Sequence, residues 1–561
     1  MGGDRRVILR DIAEGKAAPL QMAVPEHDRW ARSRLPVLGA LALVALSRLL
    51  WIGRPTLVRD EAYYWEWSRR LGLGYFDHPP LVALVIRATT ALGGASEFAV
   101  RVGMVALGVG TVALAYRVRA LLGDRLAGWL CLLATATCPL LVMWTSFAAP
   151  DGPLLFLWAA TLYALLLAVT TERGCYWYTA GLLLGLAMLA KYTAILLVPS
   201  VLPLGLLVGR GRLRRKEPYL ACGLALLVFS PNLWWNLRHG WVSMFYQLAH
   251  GACQAGRPNG DSVGATTTYV LVQAGIVGPL LALALIAGTV AALVGGLRQG
   301  GAEALGRAET QHRAEAQHRA KPHNRARLLL ACCTLVVSAF FFVVHGLSYW
   351  MAPAYFSAII CAGTFLARLL RHASPRWRTV LTALCALLFF STTVESAYAV
   401  YVAIDGASLP GAAAKIDPLL GEPEFRWREV GPIVARVLRH LEPTQRDPAV
   451  IVGDNYYTAA EVAFYTLGHP RVYSGNRQYL LWGPPTAAGN TLIFVGNISW
   501  LGASHGPLRR GEHMALWMWV GAGASRRGLQ VTVLPLPAGR AGRAKLTEVL
   551  ARTHFRSWHC H

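Results

Sequence analysis

Charged residues are scarce in this chain. Of its 561 residues, 15% are charged and 55% are hydrophobic, whereas roughly a quarter are charged in an ordinary soluble domain. The sequence contains no Cys-x-x-Cys pair, which excludes a zinc ribbon or a thioredoxin-like motif. Its C-terminal part lacks GxGxxG and GxxxxGK[ST], so nucleotide binding is not supported. The composition instead predicts a polytopic membrane protein.

Long apolar runs are abundant and have about 17 to 25 residues each, the length that crosses ~30 Å of hydrocarbon. We expect about eleven transmembrane helices, near residues 35–52, 98–116, 126–144, 153–170, 177–190, 193–209, 219–235, 269–296, 327–345, 354–370 and 377–401. No cleavable signal peptide is expected, because residues 1–34 are polar and basic and the apolar run from Leu35 continues as a span.

The distribution of positive charge predicts the orientation of these spans. The chain has 54 Lys and Arg against 30 Asp and Glu, a formal net charge of +24. With the N-terminus inside, the inner segments carry 27 Lys and Arg and the outer connections carry 8, as expected when cytoplasmic loops retain positive charge. The excess charge is therefore a topology signal, and we expect no nucleic-acid partner.

Three regions follow from this pattern. Residues 1–34 form a cytoplasmic segment, residues 35–401 a transmembrane domain with a first outer loop at 53–97, and residues 402–561 an extracytoplasmic domain. Strands alternate with a helix in the last region, which favours a small α/β domain. The expected strands are Ala449–Asp454, Val472–Tyr473, Thr491–Val495 and Leu529–Val533, and the expected helix is Tyr457–Leu467.

The first outer loop holds the most candidate functional residues. Asp60, Tyr64, Trp67 and Leu71 are spaced to share one face of a helix, which we expect to lie along the membrane surface with its aromatic rings at headgroup level. Asp60 would then present a carboxylate at the edge of the membrane. Two simpler interpretations stay open: Asp60 as a helix N-cap, and the aromatic residues as an interface belt.

Other outer segments add charges on the same side. Asp151 lies in a tight turn between two spans, where a capping role is the alternative. Lys191, followed by Tyr192, joins two spans with almost no loop; it could bind an anion or extend its ammonium group to the interface. Arg238 and His239 begin the next outer loop. Together these residues suit a substrate with an anionic phosphate, a polar sugar and a lipid tail.

Four ordered motifs carry a resemblance to a known family. They are Asp60-Glu61-Ala-Tyr-Tyr, Asp77-His78-Pro79-Pro80, Pro150-Asp151-Gly-Pro153-Leu and Gly185-Leu-Ala-Met-Leu-Ala-Lys191-Tyr192. The chain resembles the bacterial branch of glycosyltransferase family 39, which has the GT-C fold and is related to protein O-mannosyltransferases and the lipid A aminoarabinose transferase. The similarity covers about residues 35–250 well, the later spans by pattern and the tail loosely.

The resemblance implies transfer of a sugar from a polyprenyl-phosphate donor to a hydroxyl acceptor at the outer face of a bacterial inner membrane. It implies that Asp60 is the general base, that Glu61 orients a substrate, and that Asp151 supports the site. Direct displacement would invert the anomeric centre of a hexosyl or pentosyl donor. The implied contacts are Lys191, His78 and Arg238 for the donor phosphate, and Tyr64, Trp67, Tyr192 and His239 for the substrates.

The chain departs from the aminoarabinose transferases at one motif. They tend to carry Glu-Lys-Pro-Pro where this chain has Asp77-His78-Pro79-Pro80, which leaves the donor sugar open. Asp77 with His78 or His239 is a candidate site for a structural divalent ion. The resemblance implies no catalytic metal and no other cofactor.

The acceptor is a glycolipid, a polysaccharide or a protein in this interpretation. The main alternative is a transporter for an anionic or lipid-linked substrate. Transporters usually place ionisable residues near the bilayer midplane, whereas the charges within the predicted spans, Arg48, Arg101 and Glu395, form no chain. A membrane scaffold with an outer docking domain is a third alternative, and it leaves the carboxylates and Lys191 without a purpose.

Overall fold

The computed structural model describes most of the chain. The described residues are 26–118, 121, 124–208, 215–255, 262–304, 311–344, 347–405, 427–441, 449–484, 491–496, 514–517, 530–535 and 540–554. The chain divides into two units, Met1–Ser47 and Arg48–His561. The residues of the candidate site all belong to the second unit.

Helices account for nearly all of the described structure up to residue 405. The α-helices are α1 Glu26–Leu49, α2 Arg59–Arg69, α3 Leu81–Gly93, α4 Glu97–Arg117, α5 Arg125–Thr137, α6 Pro139–Trp144, α7 Asp151–Thr171, α8 Cys175–Ala190, α9 Leu197–Val208, α10 Glu217–Arg238, α11 Val242–Ala255, α12 Ser262–Val277, α13 Pro279–Ala304, α14 Gln311–Val343, α15 Ala352–His372 and α16 Pro375–Asp405. Two short 3-10 helices, Tyr192–Leu196 and Ser348–Met351, precede α9 and α15.

Seven helical segments within the described residues are long and apolar enough to cross a membrane. They are Glu97–Arg117, Asp151–Thr171, Glu217–Arg238, Pro279–Leu297, His323–Val343, Tyr349–His372 and Pro375–Ile404. Six shorter apolar helices accompany them: Leu35–Leu49, Leu81–Gly93, Arg125–Thr137, Cys175–Ala190, Tyr192–Pro203 and Thr266–Val277. The chain is a polytopic α-helical membrane protein, as predicted; the number of eleven spans stays a prediction.

Proline interrupts two of the predicted spans. The run expected to form one helix over 126–144 bends at Cys138, whose backbone is extended (φ −64°, ψ 119°) because Pro139 disfavours a helical conformation before it. The run over 269–296 is divided into α12 and α13 at Gly278, which has φ +92° and precedes Pro279. The apolar helix α3 lies inside the segment expected to be a single outer loop.

Small residues let α8 pack closely against α10. A Cβ atom on Gly181 would lie 2.3 Å from the carbonyl oxygen of Ala221, and one on Gly185 would lie 2.7 Å from that of Ala225. Close approach of backbones at small residues is a common way for membrane helices to associate. This contact fixes the position of the C-terminal end of α8, where Lys191 follows.

The described residues after 426 form a sheet with helices. Its strands are β1 Val450–Gly453, β2 Val472–Tyr473, β3 Thr491–Gly496, β4 Met514–Trp517 and β5 Gln530–Pro535, and its helices are α17 Trp427–His440, α18 Tyr456–Tyr465, α19 Gln478–Trp482 and α20 Arg540–His554. The strand order is β2-β1-β3-β5-β4; β1 is parallel to β2 and β3, and β5 is antiparallel to β3 and β4. Four strands lie where the sequence predicts them, and β4 is additional.

The central strands β1 and β3 are buried on both faces. Ile451 and Ile493 pack into the core that also contains α2, whereas Val450 and Leu492 pack on the opposite face with α20. Strands covered on both faces are expected to be continuously apolar. This explains why Val450–Gly453 shows no polar alternation.

Helix α2 is enclosed by protein instead of lying at the lipid interface. Its residues Glu61 to Ser68 are all buried, and the core around it joins α3 and α4 to α17, α18 and the sheet. Trp65, for example, meets the Phe464 ring of α18 edge-on at 4.9 Å. The prediction that these aromatic side chains face headgroups is therefore wrong, because an aromatic-rich helix is equally suited to an interface between two protein layers.

We predict that Glu461 of α18 makes stability depend on pH. Both of its carboxylate oxygens are buried and accept no hydrogen bond from the described residues. Burial raises the pKa of Glu461, Glu61 and Glu97 raise it further, and Arg101 and Arg59 lower it. The folded state therefore holds a proton that the unfolded chain releases above about pH 4.3, so stability falls as pH rises through this region.

The variant Glu461→Gln removes this effect. We expect its melting temperature to exceed that of the parent protein by a few degrees at pH 7.5, and the difference to vanish near pH 4, where both side chains are neutral. Exposed Glu429 provides the control Glu429→Gln. Equal melting temperatures for Glu461→Gln and the parent at pH 7.5 would contradict the prediction.

Candidate active site

A buried ion pair fixes the start of α2. Arg101 of α4 donates from Nε to Glu61 Oε1 at 2.8 Å and from Nη2 to Oε2 at 2.5 Å. The backbone amides of Val58 and Ala148 donate to the same carboxylate at 2.9 Å and 2.7 Å. Glu61 therefore joins α2, α4 and the turn that precedes α7. These contacts favour a positioning role for Glu61 over the substrate-orienting role that the resemblance implies.

The remaining guanidinium donors of Arg101 bind backbone oxygens. Nη1 donates to Ile52 and Pro55 at 2.7 Å and 2.9 Å, and Nη2 also donates to Thr56 at 2.7 Å. Arg101 is completely buried. A buried ion pair stabilises a fold when further hydrogen bonds satisfy both partners, and this one meets that condition.

A second buried ion pair joins the ends of two membrane helices. Lys191 Nζ lies 2.9 Å and 3.0 Å from the two carboxylate oxygens of Asp151. Asp151 is the first residue of α7 and Lys191 follows the last residue of α8 with an extended backbone (φ −157°, ψ 137°). The structure thus brings into direct contact two residues that the sequence analysis placed on the same side of the membrane.

Aromatic rings surround the Lys191 ammonium group. Its Nζ lies 5.5 Å from the ring centroid of Tyr349 and 5.7 Å from that of Trp350, both in the 3-10 helix before α15. Trp144 stacks on Tyr349 with centroids 4.0 Å apart. Rings at this distance attract a cation, so Lys191 is positioned by one carboxylate and two aromatic faces.

Asp60 contacts the region that contains the sheet, formed by the described residues between 427 and 554 and called the sheet domain below. The Tyr456 hydroxyl donates to Asp60 Oδ1 at 3.0 Å. Arg477 lies over the Tyr456 ring at 3.9 Å and places Nη1 3.6 Å from Asp77 Oδ2. Two carboxylates of the first outer segment therefore face one tyrosine and one arginine from the sheet domain. Half-buried Asp60 borders this cluster, and Asp77 lies within it.

Electrostatics in this cluster follow from burial. Burial raises the pKa of Asp77, Arg477 lowers it, Asp60 raises it, and the Tyr63 hydroxyl lowers it. Burial also raises the pKa of Tyr456 well above its usual range. Tyr456 consequently stays protonated at neutral pH and keeps its donor for Asp60.

Tyr64 lies near both groups of charges. Burial raises its pKa, and Asp60, Asp77 and Tyr349 raise it further. The ring of Tyr349 lies 5.5 Å from Lys191 Nζ.

His78 and Tyr192 lie beside these groups. The His78 ring centroid is 6.2 Å from that of Tyr64. The Tyr192 hydroxyl shares a hydrogen bond with the Ser243 hydroxyl at 2.8 Å and accepts one from Asn236 Nδ2 at 3.3 Å. Tyr192 therefore connects the turn after α8 to α10 and α11.

Two predicted site residues, Arg238 and His239, are not brought into the cluster, and a third, Trp67, meets the Tyr64 ring edge-on at 4.8 Å. Trp67 is completely buried and stacks on Tyr75 at 4.3 Å, which makes it part of the core. Arg238 and His239 are exposed; Arg238 lies over the Trp234 ring at 4.6 Å and the His239 ring stacks on Trp235 at 4.2 Å. They lie at the end of α10, which is why the sequence placed them on the same predicted side of the membrane as the site.

The candidate divalent site is not assembled. Across the part of the chain that the structure describes, no three His, Cys, Asp or Glu side chains are grouped so that they could hold a metal ion. Asp77 faces Arg477, and His239 is exposed on Trp235. The group next to Asp77 is therefore the cationic side chain of Arg477.

Three residues of the cluster were not predicted from the sequence: Tyr456, Arg477 and Tyr349. Tyr456 and Arg477 follow the carboxyl ends of the parallel strands β1 and β2, the edge at which α/β sheets usually bind ligands. Arg477 also has φ +50°, a backbone conformation that is uncommon for a non-glycine residue. A polar residue after each parallel strand was the available signal for both.

We predict that the Glu61–Arg101 pair is essential for stability. Glu61→Gln keeps the shape of the side chain and leaves Arg101 buried without a counter-charge, which typically costs about 3–5 kcal/mol. We expect a large loss of melting temperature for the purified protein. The partly exposed pair Arg325–Glu172 supplies the control Glu172→Gln, which is expected to cost about 1 kcal/mol or less. Similar losses in the two variants would contradict the assignment.

Comparisons with known proteins agree with this architecture. Residues 77–235 match the family described as dolichyl-phosphate-mannose-protein mannosyltransferase. A lipid A galacturonosyltransferase, RgtD of Rhizobium johnstonii, is 31% identical over 232 residues, which are 40% of this chain and 48% of that protein. The match therefore spans about half the length of that relative.

Two solved structures resemble the chain over nearly its whole length. Apo ArnT from Cupriavidus metallidurans has a TM-score of 0.59 at 16% identity, over 90% of this chain and 98% of ArnT. The same protein bound to undecaprenyl phosphate gives a TM-score of 0.58 at 17% identity, over 89% and 98% of the two chains. Sequence pattern and fold together confirm that the chain resembles the GT-C family of membrane glycosyltransferases.

Proposed function

We propose that this chain transfers a sugar from a polyprenyl-phosphate donor to a hydroxyl acceptor at the outer face of a bacterial inner membrane. The observation that carries the proposal is the buried Asp151–Lys191 pair, which the predicted topology assigns to the same side of the membrane as Asp60. Such a transfer needs two groups: a cation that binds the phosphate and a carboxylate that takes the proton of the hydroxyl.

Lys191 is the proposed contact for the donor phosphate. Asp151 holds its ammonium group in place, and the rings of Tyr349 and Trp350 exclude water around it. A positioned cation in a dry site stabilises the negative charge that develops on the leaving polyprenyl phosphate. The likeness to ArnT, which has been solved with undecaprenyl phosphate, supports this assignment.

Asp60 is the proposed general base. Tyr456 holds Oδ1, and Oδ2 accepts no hydrogen bond from the described residues. A carboxylate oxygen of this kind can take the proton of an attacking hydroxyl within hydrogen-bond reach. The hydroxyl oxygen then bonds to the anomeric carbon as the bond to phosphate breaks, which inverts that centre. Neither step requires a metal ion.

The proposed location follows from the charge asymmetry of the loops. The predicted topology places Asp60, Asp151 and Lys191 on the extracytoplasmic side. The sheet domain contacts Asp60 and Asp77 and lies on that side too. We propose a hexosyl or pentosyl donor and a glycolipid, polysaccharide or protein acceptor.

We predict that Asp60→Asn abolishes most of the activity. An amide cannot accept the hydroxyl proton, so sugar transfer from a lipid-linked donor in isolated membranes is expected to fall by about 10²- to 10⁴-fold. Asp124→Asn is the control, because Asp124 caps α5 and asparagine also caps helices well. Transfer at the parental rate by Asp60→Asn would remove the proposed base.

We predict that Arg477 is needed for transfer although it belongs to the sheet domain. Arg477→Met removes the positive charge beside Asp77 and the cation above Tyr456. We expect kcat/KM to fall by about tenfold or more, since misplacing a positioned group by 1 Å costs about 10²-fold. Exposed Arg471 provides the control Arg471→Met. A kcat/KM of Arg477→Met equal to that of the parent protein would show that Arg477 of the sheet domain does not contribute to the site.

A further inference from the structure

A cavity lies away from the candidate active site. It has a volume of about 240 Å³ and is enclosed by α7, α8, α9 and α10. Its wall is apolar, with Leu165 and Val169 from α7, Leu184 from α8 and Val201 from α9. An apolar wall makes a hydrocarbon chain the fitting occupant.

The cavity and the Asp151–Lys191 pair occupy different stretches of the same helices. Asp151 begins α7, whereas the lining starts at Thr161, about 15 Å further along the helix axis. On α8 the lining runs from Trp177, near the first residue, to Leu184, about 10 Å before Lys191. The cavity is therefore separate from the ion pair and extends from it towards the Arg215 end of the helices.

The mouth of the cavity carries positive charge. Arg215 lines it, and Lys216 is the next residue; both are exposed, and neither forms an ion pair with another described residue. Glu172, also at the mouth, is paired with Arg325 at 2.7 Å, and Glu217 begins α10 nearby. The predicted topology assigns this end to the cytoplasmic side, where anionic lipids attract basic segments.

Exposed apolar side chains surround the opening. Tyr219 and Leu202 both line the cavity and are 60% and 52% exposed. Such side chains face lipid in a membrane protein. The opening is thus accessible from the bilayer.

We propose that the cavity binds one acyl chain of an anionic phospholipid from the cytoplasmic leaflet, with the lipid phosphate at Arg215 and Lys216. The polyprenyl donor is a poorer fit. Its single phosphate is assigned to Lys191 at the other end of the helices, so its tail would bring no negative charge to this mouth. The choice of a phospholipid over the donor rests on the proposed function, whereas the lipid-binding measurements do not require sugar transfer.

The test is lipid binding by the purified full-length protein after delipidation. Native mass spectrometry and thermal shift would compare dioleoylphosphatidylglycerol with dioleoylphosphatidylcholine. We expect one phosphatidylglycerol to bind preferentially and to raise the melting temperature. Leu184→Trp fills the cavity and is expected to weaken that binding about tenfold; its control is Leu182→Trp, which lies on the same helix, is 44% exposed and does not line the cavity.

Charge variants test the phosphate contact separately and leave the packed core unchanged. Arg215→Gln with Lys216→Gln is expected to weaken phosphatidylglycerol binding about thirtyfold and to remove the preference over phosphatidylcholine. Exposed Arg376, which does not line the cavity, supplies the control Arg376→Gln.

Three results would overturn the proposal. They are equal binding of the two lipids by the parent protein, unchanged phosphatidylglycerol binding in both the cavity and the charge variants, and one-for-one displacement of the lipid by undecaprenyl phosphate. The last result would assign the cavity to the tail of the donor. Failure of sugar transfer leaves all three measurements unaffected, so the two proposals are tested independently.

Discussion

The contact on which the rest of the site depends is the Glu61 carboxylate with its four donors. Arg101 and the amides of Val58 and Ala148 hold it, so the start of α2, the body of α4 and the turn before α7 are joined at one point. Asp60 is next to Glu61 in sequence, and Asp151 follows three residues after Ala148. One buried ion pair thus fixes both acidic residues of the proposed site.

The sheet domain completes the arrangement from the other side. Tyr456 and Arg477 leave the carboxyl ends of neighbouring parallel strands and meet Asp60 and Asp77. The core that includes α2, α18 and the sheet is continuous, so movement of the sheet domain would displace these contacts. The transporter alternative loses support from the same geometry, because Arg101 is fully committed to Glu61 and to backbone oxygens and offers no charge to a translocation path.

Sequence patterns predicted the class of fold, most of the spans and four strands, because apolar length and β-branched runs are local properties. They also grouped Asp60, Asp151 and Lys191 on one side of the membrane. They failed where partners are distant in sequence: the Glu61–Arg101 pair spans 40 residues, and the Tyr456–Asp60 contact spans 396. The aromatic residues of α2 were expected at headgroup level because a face of aromatic residues at helical spacing is the same for a lipid interface and for a protein core; they are buried instead.

The proposed function requires the chain to cleave the bond between a sugar and a polyprenyl phosphate. The most direct measurement is to incubate the purified protein with a lipid-linked sugar fraction and a candidate acceptor, and to quantify free polyprenyl phosphate and glycosylated acceptor together. If the chain transfers the sugar directly, the two products appear in equal amounts and the new glycosidic bond has the inverted anomeric configuration. Movement of intact lipid-linked sugar across the membrane, with neither product formed, would contradict the proposed function.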